Sequence, residues 1–246
     1  MASSRHPLQS ALDIAYIQPA AARVNLLAIE TSTEFLSLAL SRGDAVLAHH
    51  AQASQRHAEL ILDSISALLE RAGMGLADLE GIAYGEGPGS FTGLRIACGV
   101  VQGLALARGL RVLGVSTLLA LAEESVSDNV LACIDARMGE VYVAAYSRIV
   151  GAWDVVQPPA LIRPQDCALP PGLAWSGVGS GFASHGTLMR ERLGAALERV
   201  DAALSPTAAA VLRLARPRFA RGEGRTAETA VPVYIRDKVA LKTSER

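Results

Sequence analysis

Short apolar runs separated by polar turns dominate the first part of the chain, a pattern typical of β-strands. The runs cover residues 24–29, 35–41 and 45–50, and they predict three strands in a meander. From about Gln55 to Ala72, apolar residues recur every three or four positions, which predicts a helix.

The first set of elements continues beyond this helix, and a second set then repeats its opening three strands. A strand at 82–85 leads through a glycine-rich turn into a helix at 93–108, and a strand and a helix follow as far as residue 124. After a polar break, three further strands are predicted at 130–134, 140–147 and 152–156. The first strand of each set ends in a carboxylate, Glu30 or Asp135. This internal duplication predicts an α/β protein with two similar halves.

The predicted domain organisation has three parts. Residues 1–23 form a flexible extension, residues 24–124 the first half, and residues 125–246 a smaller second half with a C-terminal helix and a docking tail. In the second half, the pattern predicts irregular connections at Pro158-Pro159, a glycine turn at 177–181 and a helix at 187–197. The last helix is predicted to begin behind Ser205-Pro206 and to end at Pro217.

Composition excludes several classes of protein. The 246 residues are 50% hydrophobic and carry a formal net charge of -1, so tight nucleic-acid binding by this chain alone is disfavoured. The three cysteines are too few and too widely spaced for a disulfide framework or a Cys-x-x-Cys metal site. Because no apolar run reaches the length of a membrane span and no secretory signal is evident, we expect a cytoplasmic protein.

The helix at 93–108 has an unusual face. Gly99, Gly103 and Ala107 follow one another at four-residue spacing. Since a glycine inside a helix costs roughly 1 kcal/mol relative to alanine, two on one face indicate the close approach of another backbone. That backbone belongs either to the protein's own sheet or to a partner protein.

The sequence around this helix resembles one known family. The run Gly-Pro-Gly-Ser-Phe-Thr-Gly-Leu-Arg-Ile at 87–96 is similar to the signature of the TsaB (YeaZ) family, which serves in making threonylcarbamoyladenosine in tRNA. Segments 29–32, 115–118, 134–142 and 232–236 follow the order of the family, so the resemblance covers residues 24–236. Glu30 and Cys98 depart from its pattern, because aspartate and a small glycine-like residue are usual there.

The resemblance implies the fold of the actin, sugar-kinase and Hsp-type chaperone superfamily, with two RNase H-like (actin-like ATPase) halves, each a mixed sheet of about five strands with helices, and a cleft between them. It implies a non-catalytic scaffold that binds TsaD directly and TsaE together with TsaD, forms a homodimer when alone, and meets tRNA only through the complex. The residues expected to bind the partner are His57, Leu60, Ile61, Ser64, Leu68, Arg95, Gly99, Gly103 and Leu106.

The cleft is expected to be vestigial. In relatives of the superfamily that handle ATP, groups equivalent to the following would contact the nucleotide: Glu30, Thr31, Ser32, Gly87, Gly89, Ser90, Thr92, Asp135 and Gly179. No cofactor is expected to be required, and weak binding of ATP or ADP is the most that is expected. No metal is expected, because the five histidines do not form the His-x-x-x-His pair of TsaD-type chains.

Two alternatives belong to other functional classes. One is an ATP-dependent kinase or hydrolase that uses Glu30 and Asp135. The other is a protein that binds tRNA directly, which predicts a steep dependence of affinity on salt without any partner.

Overall fold

The structure is a computed structural model that describes residues 16–17, 24–170 and 173–236. The chain divides into two compact units. The first unit comprises Met1–Glu86, Ser90–Val115 and Pro206–Val231. The second unit comprises Gly87–Gly89, Ser116–Ser205 and Pro232–Arg246.

The described residues form eleven strands and five α-helices. The strands are β1 (Tyr16–Ile17), β2 (Leu26–Glu30), β3 (Phe35–Arg42), β4 (Ala45–Gln52), β5 (Gly81–Gly87), β6 (Arg111–Ser116), β7 (Asn129–Arg137), β8 (Glu140–Ile149), β9 (Ala152–Ile162), β10 (Trp175–Val178) and β11 (Leu197–Asp201). The helices are α1 (His57–Arg71), α2 (Phe91–Arg108), α3 (Thr117–Glu123), α4 (Ser180–Leu193) and α5 (Ala208–Ala220).

Each unit contains one mixed sheet, and the two sheets have the same internal order. The first sheet runs β1-β4-β3-β2-β5-β6 and the second β11-β10-β7-β8-β9. In both, an antiparallel meander of three strands is followed by a strand that pairs in parallel with the first strand of the meander. The predicted α/β class and the internal duplication therefore appear in the topology, although the first sheet also includes the short β1.

The first sheet is covered on both faces. Leu36, Leu38 and Leu40 of β3 join the core beneath α1 and α2. Because successive strand residues point to opposite faces, Ser37 lies on the other face, where its hydroxyl accepts a hydrogen bond from the backbone N–H of Ala208 at 2.9 Å. Ala208 is the first residue of α5, so α5 covers the face opposite to α1 and α2.

This placement of α5 corrects the predicted domain boundaries. The C-terminal helix was expected in the second half, but α5 packs on β2 and β3 of the first unit. The reason is that this face of the first sheet carries buried residues, among them Leu26, Ala28 and Ala39, and α5 is the helix that packs against their strands. The boundary predicted at residue 124 also differs, because α3 belongs to the second unit.

Several elements differ from their predicted bounds. The strand β9 continues through Pro158-Pro159, which an edge strand tolerates because proline lacks only a donor. The helix α4 begins directly at the glycine turn rather than at residue 187, and β11 was not predicted. Thr207, not Ser205, caps α5, which continues past Pro217 to Ala220.

The ends of the chain are described only in part. Tyr16–Ile17 pairs with β4, so this part of the predicted extension is a strand. Residues 1–15 and 18–23 lie outside the described residues, as do residues 237–246 of the predicted docking tail. Within the described part of that tail, Ile235 packs against the core of the second unit, and Arg236 binds Glu140 at 2.6 Å.

Candidate functional site

The start of α2 is fixed to the end of β2. The backbone N–H of Ser90 donates to the carbonyl of Ser32 at 2.7 Å, and the Thr31 hydroxyl donates to the carbonyl of Gly93 at 2.8 Å. Ser90 also caps the helix by accepting from the N–H of Gly93 at 3.3 Å. A Cβ atom at Gly93 would overlap the carbonyl oxygen of Thr31, so this glycine is required for the close approach of two backbones.

The other two glycines of α2 face away from the protein. A Cβ atom built on Gly99 or Gly103 would meet no atom of the residues that the structure describes within 4 Å. The buried side of the helix is formed instead by Leu94, Ala97 and Val101. The interpretation that the glycine face packs against the protein's own sheet is therefore wrong.

Apolar and charged side chains flank this open glycine face. Leu106 is 69% exposed, although it is a large aliphatic residue. Phe91 is 38% exposed, and the guanidinium of Arg95 stacks on its ring at 3.7 Å. We call the face formed by Phe91, Arg95, Gly99, Gly103 and Leu106 the α2 surface. Phe91 is the one member that the sequence pattern did not single out, because it lies within the predicted glycine turn.

The residues predicted on α1 lie mostly in the core. Ile61 and Leu68 are each 1% exposed, and Ser64 is also buried. Buried His57 directs Nε2 to the carbonyl oxygen of Phe35 at 3.1 Å. These four residues form the inward stripe of α1, so their assignment to a partner-binding surface is wrong.

Leu60 is half-buried and packs against the same core. The exposed face of α1 carries Leu62, which is 54% exposed, together with Glu59 and Asp63. Leu62 is the large apolar residue that α1 exposes, and it was not among the residues predicted to bind a partner. The acidic residues at helical spacing around it were the available signal, because they mark the solvent side.

The predicted cleft residues of the first unit meet at the end of β2. Glu30 is 1% exposed, and its Oε1 accepts a hydrogen bond from the N–H of Ser32 at 2.6 Å. A Cβ atom at Gly85 would overlap the Glu30 carboxylate, which therefore lies directly over that strand. Thr31 and Ser32 are buried beside it.

Thr92, by contrast, is exposed at the first turn of α2 and forms no part of that cluster. Gly87 and Gly89 belong to the second unit, where Gly87 has φ +112° and Gly89 is half-buried.

Asp135 is the centre of the predicted site in the second unit. Its Oδ1 accepts from the N–H of Arg137 at 2.9 Å, and its Oδ2 accepts from the Ser184 hydroxyl at 3.2 Å. The Arg137 guanidinium lies 3.3 Å from Oδ2, and His185 Nε2 lies 3.8 Å from Oδ1. Several groups of its own unit thus surround this carboxylate.

Gly179 holds the start of α4 against β7. Its φ of +101° is a backbone conformation that residues with a side chain rarely adopt, and a Cβ atom there would lie 2.5 Å from the carbonyl oxygen of Cys133. The N–H of Asp135 donates to the Ser180 hydroxyl in the next position at 3.1 Å. The glycine turn therefore places α4 beside Asp135.

Cys98 on the inner side of α2 and Glu86 of β5 are two titratable groups that interact within the first unit. Burial raises the pKa of the Cys98 thiol to about 11, and the Glu86 carboxylate adds to the effect. Burial likewise raises the pKa of Glu86 itself, an effect that nearby Arg218 partly offsets. Cys98, Cys133 and Cys167 are all free and buried.

Among the described residues there is neither a cluster suited to a metal ion nor a helix suited to cross a membrane. Within residues 16–17, 24–170 and 173–236, no group of three or more histidine, cysteine, aspartate or glutamate side chains could hold a metal ion. None of the helices in this part of the chain combines the length and the apolar character that a bilayer crossing requires.

Comparison with known proteins links this chain to tRNA modification. Residues 49–243 match the family model of TsaD, described as tRNA N6-adenosine threonylcarbamoyltransferase. The Escherichia coli (strain K12) tRNA threonylcarbamoyladenosine biosynthesis protein TsaB is 40% identical, with 89% of this chain and 97% of the relative covered. The Haemophilus influenzae protein of the same name is 34% identical over 89% and 96% of the two chains.

Solved structures show the same relationship. The structure of YeaZ from Pseudomonas aeruginosa has a TM-score of 0.80 and 41% identity, and it covers 86% of this chain and 99% of its own. A second Pseudomonas aeruginosa structure, described as an uncharacterized protein with similarity to peptidase YEAZ, has a TM-score of 0.81 at 41% identity over 87% and 100%. The two mixed sheets are therefore those of an actin-like ATPase fold, and the chain belongs to the TsaB (YeaZ) family.

Proposed function

We propose that this protein is a non-catalytic scaffold subunit of the complex that transfers a threonylcarbamoyl group to the adenosine next to the anticodon of ANN-decoding tRNAs. The names of its relatives support a role in tRNA threonylcarbamoyladenosine biosynthesis. In this proposal the chain binds TsaD directly through the α2 surface, and TsaE joins with TsaD. The tRNA is bound only by the complex, in the cytoplasm.

The open glycine face of α2 is the observation that carries the proposal. Among the described residues, Gly99 and Gly103 have no neighbour within 4 Å of a built Cβ atom, so packing within this part of the chain does not explain either glycine. Each glycine costs the helix roughly 1 kcal/mol relative to alanine. A partner helix that approaches this face closely would offset that cost, and exposed Leu106 would be buried with it.

The same surface is available to a second copy of the chain. We therefore expect a homodimer when the protein is alone, formed through α2. Arg95 is held over Phe91 at the edge of the surface, where it would meet a carboxylate of the partner.

The experiment is to measure the mass in solution of this chain mixed with TsaD from the same organism. The native chain should form a stoichiometric complex, whereas Gly103→Leu should fold but fail to form it, because the new side chain occupies the space of the partner backbone. The matched control is Thr187→Leu, which adds an aliphatic side chain to the exposed face of α4 in the second unit and should leave the complex intact.

Two results would count against the proposal. If the native chain forms no complex at any ratio, the scaffold assignment fails. If Gly103→Leu binds TsaD as the native chain does, the α2 surface is not where TsaD binds. Magnesium-dependent ATP turnover by the purified chain would instead favour the enzyme alternative.

A further inference from the structure

Arginine side chains are concentrated where α5 ends and the chain returns to β6. The group comprises Arg111, Arg218, Arg221 and Arg225, all in the first unit, and we call it the arginine cluster. Arg111, Arg221 and Arg225 are exposed, and Arg218 is half-buried. Such a concentration contrasts with the net charge of -1 of the whole chain.

Glu223 joins two members of the cluster. Its carboxylate lies 2.9 Å from Arg218 Nε and 2.7 Å from Arg221 Nη2. Arg218 also donates to the carbonyl of Gly114 at 3.2 Å, which ties the end of α5 to β6. Arg218 is therefore fixed in place, whereas Arg221 keeps a side chain that is 61% exposed.

A short backbone pairing brings the other two members beside them. Arg225 exchanges two hydrogen bonds of 2.8 Å with Val112 of β6, the residue after Arg111. Gly224 permits this pairing, since a Cβ atom there would lie 2.8 Å from the Cβ of Arg111. Within the part of the chain that the structure describes, Arg225 forms no ion pair.

The surface keeps an excess of positive charge. Glu223 pairs with Arg218 and Arg221, and Glu228 lies close enough to Arg111 to interact with its charge, so these four arginines and two glutamates carry a net charge of +2. The pKa of Glu223 is lowered by hydrogen bonds from Arg218 and Arg221, and that of Glu228 by its own backbone amide and the Thr226 hydroxyl, so both are ionised at neutral pH. The Glu86 carboxylate also interacts with the charge of Arg218, and it reduces the excess of positive charge at pH values at which it is ionised.

We propose that the arginine cluster contacts phosphate groups of the tRNA in the assembled complex. The inference rests on the proposed function, because that function brings tRNA to this protein. Guanidinium groups suit phosphate oxygens, since each presents several donors in one plane. A net charge of +2 is too small to hold tRNA without the partner, which agrees with the composition of the chain.

The test uses the complex of this chain with TsaD and a tRNA with an ANN anticodon, with binding followed by fluorescence anisotropy at several salt concentrations. The variant Arg221→Gln/Arg225→Gln leaves Arg218 and its bond to Gly114 unchanged. Losing two phosphate contacts should lower the slope of log affinity against log salt by roughly 1.5 to 2. The loss of these contacts should therefore also weaken the binding of tRNA by the complex about tenfold at low salt.

Two further variants separate this contact from other effects. Arg163→Gln/Arg199→Gln removes the same charge from exposed positions of the second unit and should change the affinity less than twofold. Glu223→Gln removes a negative charge that competes with phosphate, so it should tighten tRNA binding. A purely structural role of the Glu223 ion pairs predicts no gain in affinity.

The mass of each complex is measured before tRNA is added. If the complex of the cluster variant forms but its tRNA affinity and salt slope equal those of the native complex, the phosphate contact is refuted while the scaffold function stands. Equal losses in the two double variants would also refute it, since they would indicate an effect of total charge. If the native chain does not bind TsaD, both proposals fall together.

Discussion

The same substitution, glycine to alanine, is predicted to act in opposite directions at two positions of α2. Gly93 and Gly103 lie in the same helix, ten residues apart. At Gly103 the new methyl group would meet nothing within 4 Å, whereas at Gly93 it would overlap the carbonyl oxygen of Thr31. The pair therefore tests whether the open and the closed face of the helix have been assigned correctly.

The magnitudes follow from helix propensity and packing. Alanine favours the helix by about 1 kcal/mol, so Gly103→Ala should raise the free energy of unfolding by that amount. At Gly93 the same gain is opposed by overpacking against backbone, which costs about 1–3 kcal/mol, and by strain on the Thr31 hydrogen bond, worth about 1 kcal/mol. The net loss for Gly93→Ala should be about 2 kcal/mol.

Thermal unfolding followed by far-UV circular dichroism measures both effects. For a chain of this length, about 1 kcal/mol corresponds to a shift of roughly 2–4 °C in Tm. Gly103→Ala should melt above the native protein and Gly93→Ala below it. A Gly93→Ala variant as stable as the native protein would refute the reasoning, as would a destabilised Gly103→Ala variant.

Two further predictions concern single carboxylates. Burial raises the pKa of Glu86 above its ordinary value of 4.5, so the folded protein holds this proton more tightly than the unfolded chain, and stability falls as pH rises through the raised pKa. In urea unfolding, the stability of Glu86→Gln relative to the native protein should therefore increase as the pH is raised from 4 to 8. A stability difference between the two proteins that stays constant with pH would contradict this. The Asp135→Asn variant keeps an oxygen that can accept the Arg137 N–H. A complex reconstituted with this variant should therefore keep its rate of tRNA modification within about twofold. If the native chain instead hydrolyses ATP in the presence of magnesium and the variant does not, the enzyme alternative is favoured.

The sequence predicted the local elements well, because their signals are local. The strands β2, β3 and β4 follow from apolar runs and polar turns within a few residues of one another. The start of α5 beside Ser37 is different, since a bond between residues 171 positions apart joins them. Periodicity indicates that a helix face is apolar but not which sheet it covers, so α5 was assigned to the wrong unit.

The residues predicted to bind a partner show a similar limit, because a sequence pattern does not show which side of a helix the rest of the fold encloses. On α1 the spacing of Glu59 and Asp63 already distinguished the solvent side, and Leu62 could have been chosen over Ile61. On α2 the four-residue spacing set Gly103 apart from Gly93, but it did not show which of the two is enclosed. Both are helical glycines, and only the position of Thr31 shows that one is enclosed and the other open.

The duplicated carboxylates bear on the proposed scaffold role, because both are engaged in bonds within their own turns. In each unit an acidic residue at or near the end of the first strand of the meander, β2 or β7, accepts a hydrogen bond from the backbone N–H two positions later. Glu30 accepts from Ser32, and Asp135 accepts from Arg137. This bond closes the turn that leads into the next strand. A magnesium ion with its bound nucleotide would need oxygens free to replace water, and it would have to compete with these bonds. Closing the turn is therefore a sufficient reason for an acidic side chain at both positions, and it requires no catalysis by this chain.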